Sequence, residues 1–129
     1  MNVVVVDYGH IDEEALFPQL NLNKFGWIQY LFSEEGETSE RCWRSDVIVS
    51  AKTPIDKITI DKAFKLKLIV AAGEAYDHID LETAKARGII VCNTPGLDPD
   101  DKEQTKKSLR QVVTHINLFL KGAPTNQVN

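Results

Sequence analysis

The stretch "LKLIVAAGEAYDHIDLETAKARGIIVC", Leu66 to Cys92, decides the fold of this chain. Its two ends, Leu66–Ala72 and Ile89–Cys92, are apolar at successive positions except for Lys67, which is typical of strands covered on both faces in a parallel sheet. Between these ends, Asp80 predicts a helix N-cap and Gly88 predicts the end of that helix. The stretch therefore predicts a strand–helix–strand unit.

The same pattern extends towards the N-terminus. Apolar runs there predict three more strands, at Val3–Val6, Trp27–Phe32 and Val47–Ser50. Helices are predicted at Asp12–Asn21, short or kinked at Pro18, at Thr38–Ser45 with Thr38 or Ser39 as N-cap, and at Thr59–Lys65. Alternating strands and helices with right-handed crossovers predict an α/β, flavodoxin-like, doubly wound sheet of five parallel strands in the order 2-1-3-4-5, with helices on both faces.

The last segment, "KEQTKKSLRQVVTHINLFLKG", predicts a long C-terminal helix over Lys102–Gly122. Gly122 and Pro124 are residues that end helices. One apolar stripe recurs at helical spacing, formed by Leu109, Val112, Val113, Ile116 and Phe119 or Leu120. This stripe is expected to lie on the sheet or on a partner helix.

Composition indicates one globular domain over residues 1–129 and excludes two classes of partner. The chain has 129 residues, of which 43% are hydrophobic, and a formal net charge of −4. No basic cluster is dense enough for nucleic-acid binding, and Lys106 and Lys107 are expected on the solvated face of a helix. No apolar run approaches the roughly 18 residues needed to cross a bilayer.

The two cysteines, Cys42 and Cys92, are isolated in the sequence and have no neighbours at metal-ligand spacing. The opening residues, "MNVVVVDYGH", lack the basic leader and extended apolar region of a signal peptide. We therefore expect two reduced, buried thiols, no metal site and a cytoplasmic location.

Three features resemble the substrate-binding domain of the NAD-dependent D-isomer-specific 2-hydroxyacid dehydrogenases. The segment "LKLIVAAGEAYDHIDL" is similar to that family's strand, glycine loop and following turn. The segment "AKARGIIVCNTPG" is similar to the next helix and strand and to the hinge into the second domain, and "NLFLKGAPTNQVN" is similar to the C-terminal helix and tail. These features occur in the family's order and span nearly the whole chain.

The resemblance implies that this chain is a substrate-binding domain without the nucleotide-binding domain that accompanies it in the family. In the family, a nucleotide-binding Rossmann domain is inserted after the hinge, whereas here residues 1–96 and the C-terminal residues 102–129 are joined directly by residues 97–101. A deletion is the preferred origin and a naturally reduced paralogue is the second. The sequence has no GxGxxG, so no cofactor site is expected here, although the parent family uses NAD.

The resemblance also implies that no catalytic residue is present, because the family's arginine, glutamate and histidine belong to the inserted domain. We expect no dehydrogenase activity from this chain alone. His115 is expected to be a polar or half-buried helix residue, and His10 and His78 are expected to be surface or loop residues.

The residues expected to bind substrate are those of the glycine loop. In the family, its backbone N–H groups bind the substrate carboxylate as an anion-binding nest, a run of amides that converge on one anion. The matching residues are Gly73, Glu74, Ala75 and Tyr76, where Glu74 and Ala75 replace a small apolar residue and a glycine. Lys52, after the third strand, is a further candidate for a carboxylate, so we expect weak binding of a small 2-keto or 2-hydroxy acid.

Other classes of protein share this fold. A receiver domain would need a carboxylate at the end of strand three, where the sequence reads "VIVSAKT", and a flavodoxin would need a hydroxyl-rich loop where it reads "DYGHIDEE". The stronger alternative is a non-catalytic scaffold or self-association module. Its homodimer would form through surface exposed at the hinge or by swapping of the C-terminal helix.

Overall fold

A computed structural model of the chain describes residues 1–98 and 100–129. The strands are β1 (Asn2–Val5), β2 (Gly26–Gln29), β3 (Val47–Ser50), β4 (Leu68–Ala71) and β5 (Ile90–Asn93). The α-helices are α1 (Glu37–Cys42), α2 (Lys57–Lys62), α3 (Leu81–Ala86) and α4 (Thr105–Leu120), with single 3-10 turns at Tyr8–His10 and Lys102–Gln104. Of the predicted connection 97–101, Pro99 lies outside the described residues.

The five strands form one sheet in the order β2-β1-β3-β4-β5, and every neighbouring pair is parallel. The predicted topology is therefore confirmed. Strands β3 and β4 are buried at each of their positions, as their unbroken apolar runs predict. The order reverses between β1 and β3, which opens a crevice at the carboxyl ends of the strands.

Helix α4 covers one face of the sheet. The predicted stripe residues Leu109, Val112, Val113 and Ile116 are buried in the same cluster as the inward side chains of β1, β3 and β4. Lys106 and Lys107 are exposed on the opposite side of the helix, as expected. The amphipathic pattern of the helix thus fixes which of its sides packs on the sheet.

The other face carries α1, α2 and α3, which contribute the buried residues Cys42, Ile60 and Ala84. Helix α3 begins as predicted, because the Asp80 carboxylate accepts from the Thr83 N–H at 3.1 Å and from the Thr83 hydroxyl at 2.8 Å. These two bonds hold the pKa of the Asp80 carboxyl below its usual value. The helix ends before Gly88, whose φ of 70° is readily available to glycine.

The predicted helix at Asp12–Asn21 is wrong. A 3-10 turn at Tyr8–His10 is followed by irregular chain, and Leu16, expected on the apolar side of that helix, is 86% exposed. Pro18 cannot donate a helical hydrogen bond, and the Asp12 carboxylate instead closes a local turn by accepting from the Glu14 N–H.

Helix α1 begins one residue before the predicted cap positions. Gly36, with a φ of 86°, precedes Glu37, and the Glu37 carboxylate accepts from the Glu34 N–H at 2.9 Å. Thr38 lies inside the helix and is buried, so neither Thr38 nor Ser39 is the N-cap. The other helix and strand bounds differ from the predicted ones by a few residues. Strand β2 stops at Gln29, and helix α2 starts at Lys57 because Asp56 caps it.

The C-terminal tail, residues 126–129, runs antiparallel along the outer edge of β5. Cys92 and Gln127 form a bridge pair, and the Val128 N–H donates to the Val91 carbonyl at 2.8 Å. The Asn129 side chain accepts from the Val91 N–H and donates to the Ile89 carbonyl. Residues of the tail therefore satisfy backbone groups of β5 that would otherwise face solvent.

Candidate functional site

The residues predicted to bind substrate lie at the carboxyl edge of the sheet. Lys52 follows β3, and Gly73–Tyr76 follow β4. Because β3 and β4 are parallel neighbours, both segments leave the sheet at the same edge. This is where ligands of open α/β sheets bind.

Two amides of the glycine loop already have partners within the chain. The Gly73 N–H donates to the Ala71 carbonyl at 2.9 Å, and the Glu74 N–H donates to the Leu97 carbonyl at 3.0 Å. Leu97 belongs to the short connection that leads to α4. The connection therefore takes one of the four N–H groups that the resemblance assigns to the substrate.

The remaining two amides, those of Ala75 and Tyr76, have no acceptor within residues 1–98 and 100–129. Both residues are exposed. Among these residues Asn126 is the one non-glycine with a positive φ, so Ala75 stays in the ordinary backbone region. The loop thus offers at most a pair of N–H groups to an anion, half of the predicted set.

Two carboxylates lie within or beside the predicted site. Glu74 is exposed to solvent, which screens its charge from an anion at the loop. The Lys52 ammonium pairs with the Asp100 carboxylate, and this hydrogen bond holds the pKa of Asp100 below its usual value. Lys52 is 43% exposed, and the carboxylate that it meets belongs to the connection and not to a substrate, so its role in substrate binding stays a prediction.

Asp7 organises the loop after β3, a role that the sequence analysis missed. Its carboxylate is fully buried and accepts from the N–H groups of Ala51, Lys52 and Thr53 at 2.9, 2.8 and 2.8 Å. The Thr53 hydroxyl donates a fourth bond at 2.8 Å. The only signal in the sequence is an acid directly after the apolar run "VVVV". The loop after β3 is therefore an anion-binding nest filled from inside the protein.

Asn93 is the second residue that was missed, because the sequence analysis treated it as part of the hinge. It ends β5 and is 7% exposed. Its side-chain amide donates to the Glu74 carbonyl at 2.9 Å, so it joins β5 to the glycine loop.

His115 is fully buried in α4, not half-buried as predicted. Its Nε2 lies 2.6 Å from the Asn93 carbonyl, to which the Nε2–H donates, and its Nδ1 has no partner in the described residues. Burial lowers the pKa of His115 below its ordinary value and outweighs this hydrogen bond. His10 and His78 are both half-buried; His78 lies in a loop, as expected, whereas His10 ends the 3-10 turn at Tyr8–His10.

Comparisons with known proteins agree with this geometry. The family model described as "D-isomer specific 2-hydroxyacid dehydrogenase, catalytic domain" matches residues 25–129. The chain belongs to this family. The resemblance first drawn from the glycine loop and the hinge is confirmed.

Family members of known identity match only a part of their own length. The glyoxylate reductase of Thermococcus litoralis is 41% identical over 66 residues, which are 50% of this chain and 20% of the reductase. The D-3-phosphoglycerate dehydrogenase of Methanocaldococcus jannaschii is 43% identical over 60 residues, 46% of this chain and 12% of that enzyme.

A solved structure of the family shares the fold. The 3-phosphoglycerate dehydrogenase of Entamoeba histolytica, described with bound NAD+, superposes with a TM-score of 0.60 at 26% identity. The match covers 74% of this chain and 33% of that one. This chain therefore spans about a third or less of each of these dehydrogenase-family relatives.

The described residues do not fit the dinucleotide that this dehydrogenase family uses. At the crevice beside β1, the Asp7 carboxylate takes the amides that could otherwise meet a phosphate. The sequence also lacks the glycine-rich turn that brings a helix N-terminus to a pyrophosphate.

Other reactive groups offer no alternative centre. Burial raises the pKa of Cys42 to about 12 and that of Cys92 to about 11, so both thiols stay protonated and unreactive. Within residues 1–98 and 100–129, no three His, Cys, Asp or Glu side chains are grouped so as to hold a metal ion. In the same part of the chain, no helix has the length and apolar character needed to cross a bilayer.

Proposed function

We propose that this chain is the substrate-binding part of a D-2-hydroxyacid dehydrogenase whose Rossmann domain is absent between Gly96 and Lys102. Residues 1–96 and the C-terminal helix and tail, residues 102–129, form one packed unit in this proposal. Its support is the packing of the α4 stripe on the strands of the N-terminal segment. Leu97 and Asp100 of the connection also contact that segment.

The chain retains a weak site for the carboxylate of a small 2-keto or 2-hydroxy acid. The observation that carries this proposal is that Ala75 and Tyr76, two exposed residues at the carboxyl edge of β4, have N–H groups with no acceptor among the described residues. Two amides can hold one carboxylate by charge-assisted hydrogen bonds. Lys52 adds a cation at the same edge once Asp100 is displaced from it.

Titration with oxalate or pyruvate, followed by amide chemical shifts, tests the site. We expect the Ala75 and Tyr76 signals to move at millimolar ligand, while amides of α1 on the distant helical layer stay in place. If the signals of Gly73–Tyr76 stay unmoved at these concentrations, the site does not exist in this chain.

The same proposal expects no hydride transfer by the chain alone. The described residues offer no dinucleotide site to supply a hydride, and His115 is buried and bonded to Asn93. A mixture of the protein, NADH and glyoxylate should lose NADH absorbance no faster than a blank. Turnover above the blank that persists in repurified protein would contradict the proposal.

A self-association module is the second candidate. Large apolar side chains are exposed around α2, with Ile58 at 69% and Phe64 at 61% exposure, and Phe64 lies against Trp43 at 6.4 Å between ring centroids. Sedimentation over a dilution series would show a dimer at high concentration. A swapped α4 would keep that dimer from exchanging subunits quickly, and a constant monomer would remove this candidate.

A further inference from the structure

Asn93 lies between the glycine loop and the long helix. Its side-chain amide donates to the Glu74 carbonyl at 2.9 Å, and its own carbonyl accepts from His115 at 2.6 Å. Its backbone N–H donates to the Asn126 carbonyl at 3.2 Å. Asn93 is thus held by β5, the tail and α4, and it presents one donor to the loop.

Because the peptide group is planar, the hydrogen bond from Asn93 to the Glu74 carbonyl also determines where the next N–H group points. In a trans peptide the carbonyl and the N–H of the next residue lie in one plane and point in opposite directions. No cis peptide occurs among the described residues. With the Gly73 carbonyl held by the Thr94 N–H, the Glu74 N–H points the other way, towards Leu97.

The same reasoning applies one residue later. The Glu74 carbonyl is held by Asn93, so the Ala75 N–H must point away from β5 towards the exposed side of the loop. Without the Asn93 donor, the peptide between Glu74 and Ala75 is free to rotate as a unit. The Ala75 N–H would then no longer point in one fixed direction.

We infer that Asn93 is the positioning residue of the carboxylate site, because it fixes the Glu74–Ala75 peptide and so aims the Ala75 N–H at the anion. This inference rests on the proposed function of the glycine loop. Asn93 itself does not touch the substrate. His115 supports it by anchoring the Asn93 backbone to α4.

The first test uses the protein without ligand. Asn93→Asp places an acceptor against the Glu74 carbonyl, and Asn93→Ser shortens the side chain without adding charge. Asn117→Asp is the matched control, since the new carboxylate still accepts from the Asn21 N–H as the Asn117 amide does. We expect amide relaxation to show a less ordered Ala75 in both Asn93 variants, with β4 and β5 unchanged and with Asn117→Asp like the wild type.

An Asn93→Ser protein in which Ala75 is as ordered as in the wild type would overturn the inference. An equal loss of order in Asn117→Asp would also overturn it, because the effect would then be unspecific. If Asn93→Asp fails to fold, Asn93→Ser carries the measurement on its own.

The second test separates the inference from the proposed function. Loss of one aimed hydrogen bond should weaken oxalate binding about tenfold in Asn93→Ser and leave Asn117→Asp unaffected. Unmoved Ala75 and Tyr76 amides in wild-type protein would overturn the proposed site, and the ligand-free measurement would then decide the role of Asn93. Wild-type affinity in Asn93→Ser would overturn the inference and leave the site intact.

Discussion

The loops after β3 and β4 leave adjacent strands at the same edge of the sheet, yet they differ in what their amides bind. Three successive N–H groups of Ala51–Thr53 surround the buried Asp7 carboxylate. Ala75 and Tyr76 are exposed residues whose N–H groups have no partner in the described chain. One loop is closed by an internal anion and serves stability, and the other is left open and is the one able to serve binding.

The largest expected effect comes from removing the Asp7 carboxylate, the internal anion that closes the loop after β3. Asp7→Ala leaves three amides, of which those of Ala51 and Thr53 are buried, and the Thr53 hydroxyl without an acceptor, so we expect the free energy of unfolding to fall by about 3 kcal/mol or more. Urea denaturation measures the loss, with Glu35→Ala, an exposed acid, as the control. Added acetate should raise the urea midpoint of Asp7→Ala and leave the wild type unchanged. An unaltered midpoint in Asp7→Ala would contradict the structural role of Asp7.

A second prediction concerns the helix behind the open loop. The pKa of buried His115 is lowered, so the unfolded chain takes up a proton near pH 6.5 while the folded chain does not. The stabilising contribution of neutral His115 to the free energy of unfolding should therefore be fully present above about pH 6.5. Below that pH, the free energy of unfolding should decrease by about 1.4 kcal/mol per pH unit until His115 protonates in the folded state.

Urea titrations between pH 7 and pH 5 measure this dependence. His115→Gln should lose most of it, whereas His10→Gln should keep it. The lowered pKa values of Asp80 and Asp100 act in a more acidic range, since their stabilising effect is lost only as the pH approaches their own ordinary values. A His115→Gln protein with the wild-type slope would show that another group titrates.

A third prediction concerns Lys52, in the loop after β3, once its ion pair with Asp100 is removed. Asp100→Asn removes the carboxylate that pairs with Lys52, so oxalate affinity should rise about threefold to tenfold while the urea midpoint stays the same. Asp98→Asn removes the same charge from the same connection and should change affinity less. Equal gains in oxalate affinity in both variants would indicate that the change in net charge, and not the release of Lys52, raises the affinity.

The smallest expected effect is at Glu74. Glu74→Gln removes an exposed negative charge from the open loop and should raise oxalate affinity about twofold at low salt, with the gain shrinking as salt is added. Glu82→Gln in α3 is the matched control. A gain that is independent of salt would point to a changed loop conformation.

The parts of the fold that local sequence determines were predictable. Unbroken apolar runs indicated β3 and β4, and Asp80 and Gly88 marked both ends of α3. The Asp12–Asn21 helix was wrong because Pro18 was expected only to shorten or kink it, and because the turn at Asp12 was not foreseen. In α1, the turn at Gly36 displaced the expected Thr38 cap.

The candidate site could be placed but not described in detail. A family resemblance located Gly73–Tyr76, whereas the partners of those residues come from distant positions. Asp7 bonds to residues 44 to 46 positions away, and Asn93 reaches Glu74 across 19 positions. Such contacts depend on strand order and side-chain direction, which no local pattern of residues encodes.

The tail along β5 has a consequence for higher assembly. Residues 126–129 cover the β5 border of the sheet, so strand pairing between molecules is favoured at the β2 border, where β2 within the described residues pairs with β1 alone. Two molecules joined there would bury their shared border and leave no further strand for a third. The covered β5 border would then disfavour growth of a filament beyond the dimer by this route.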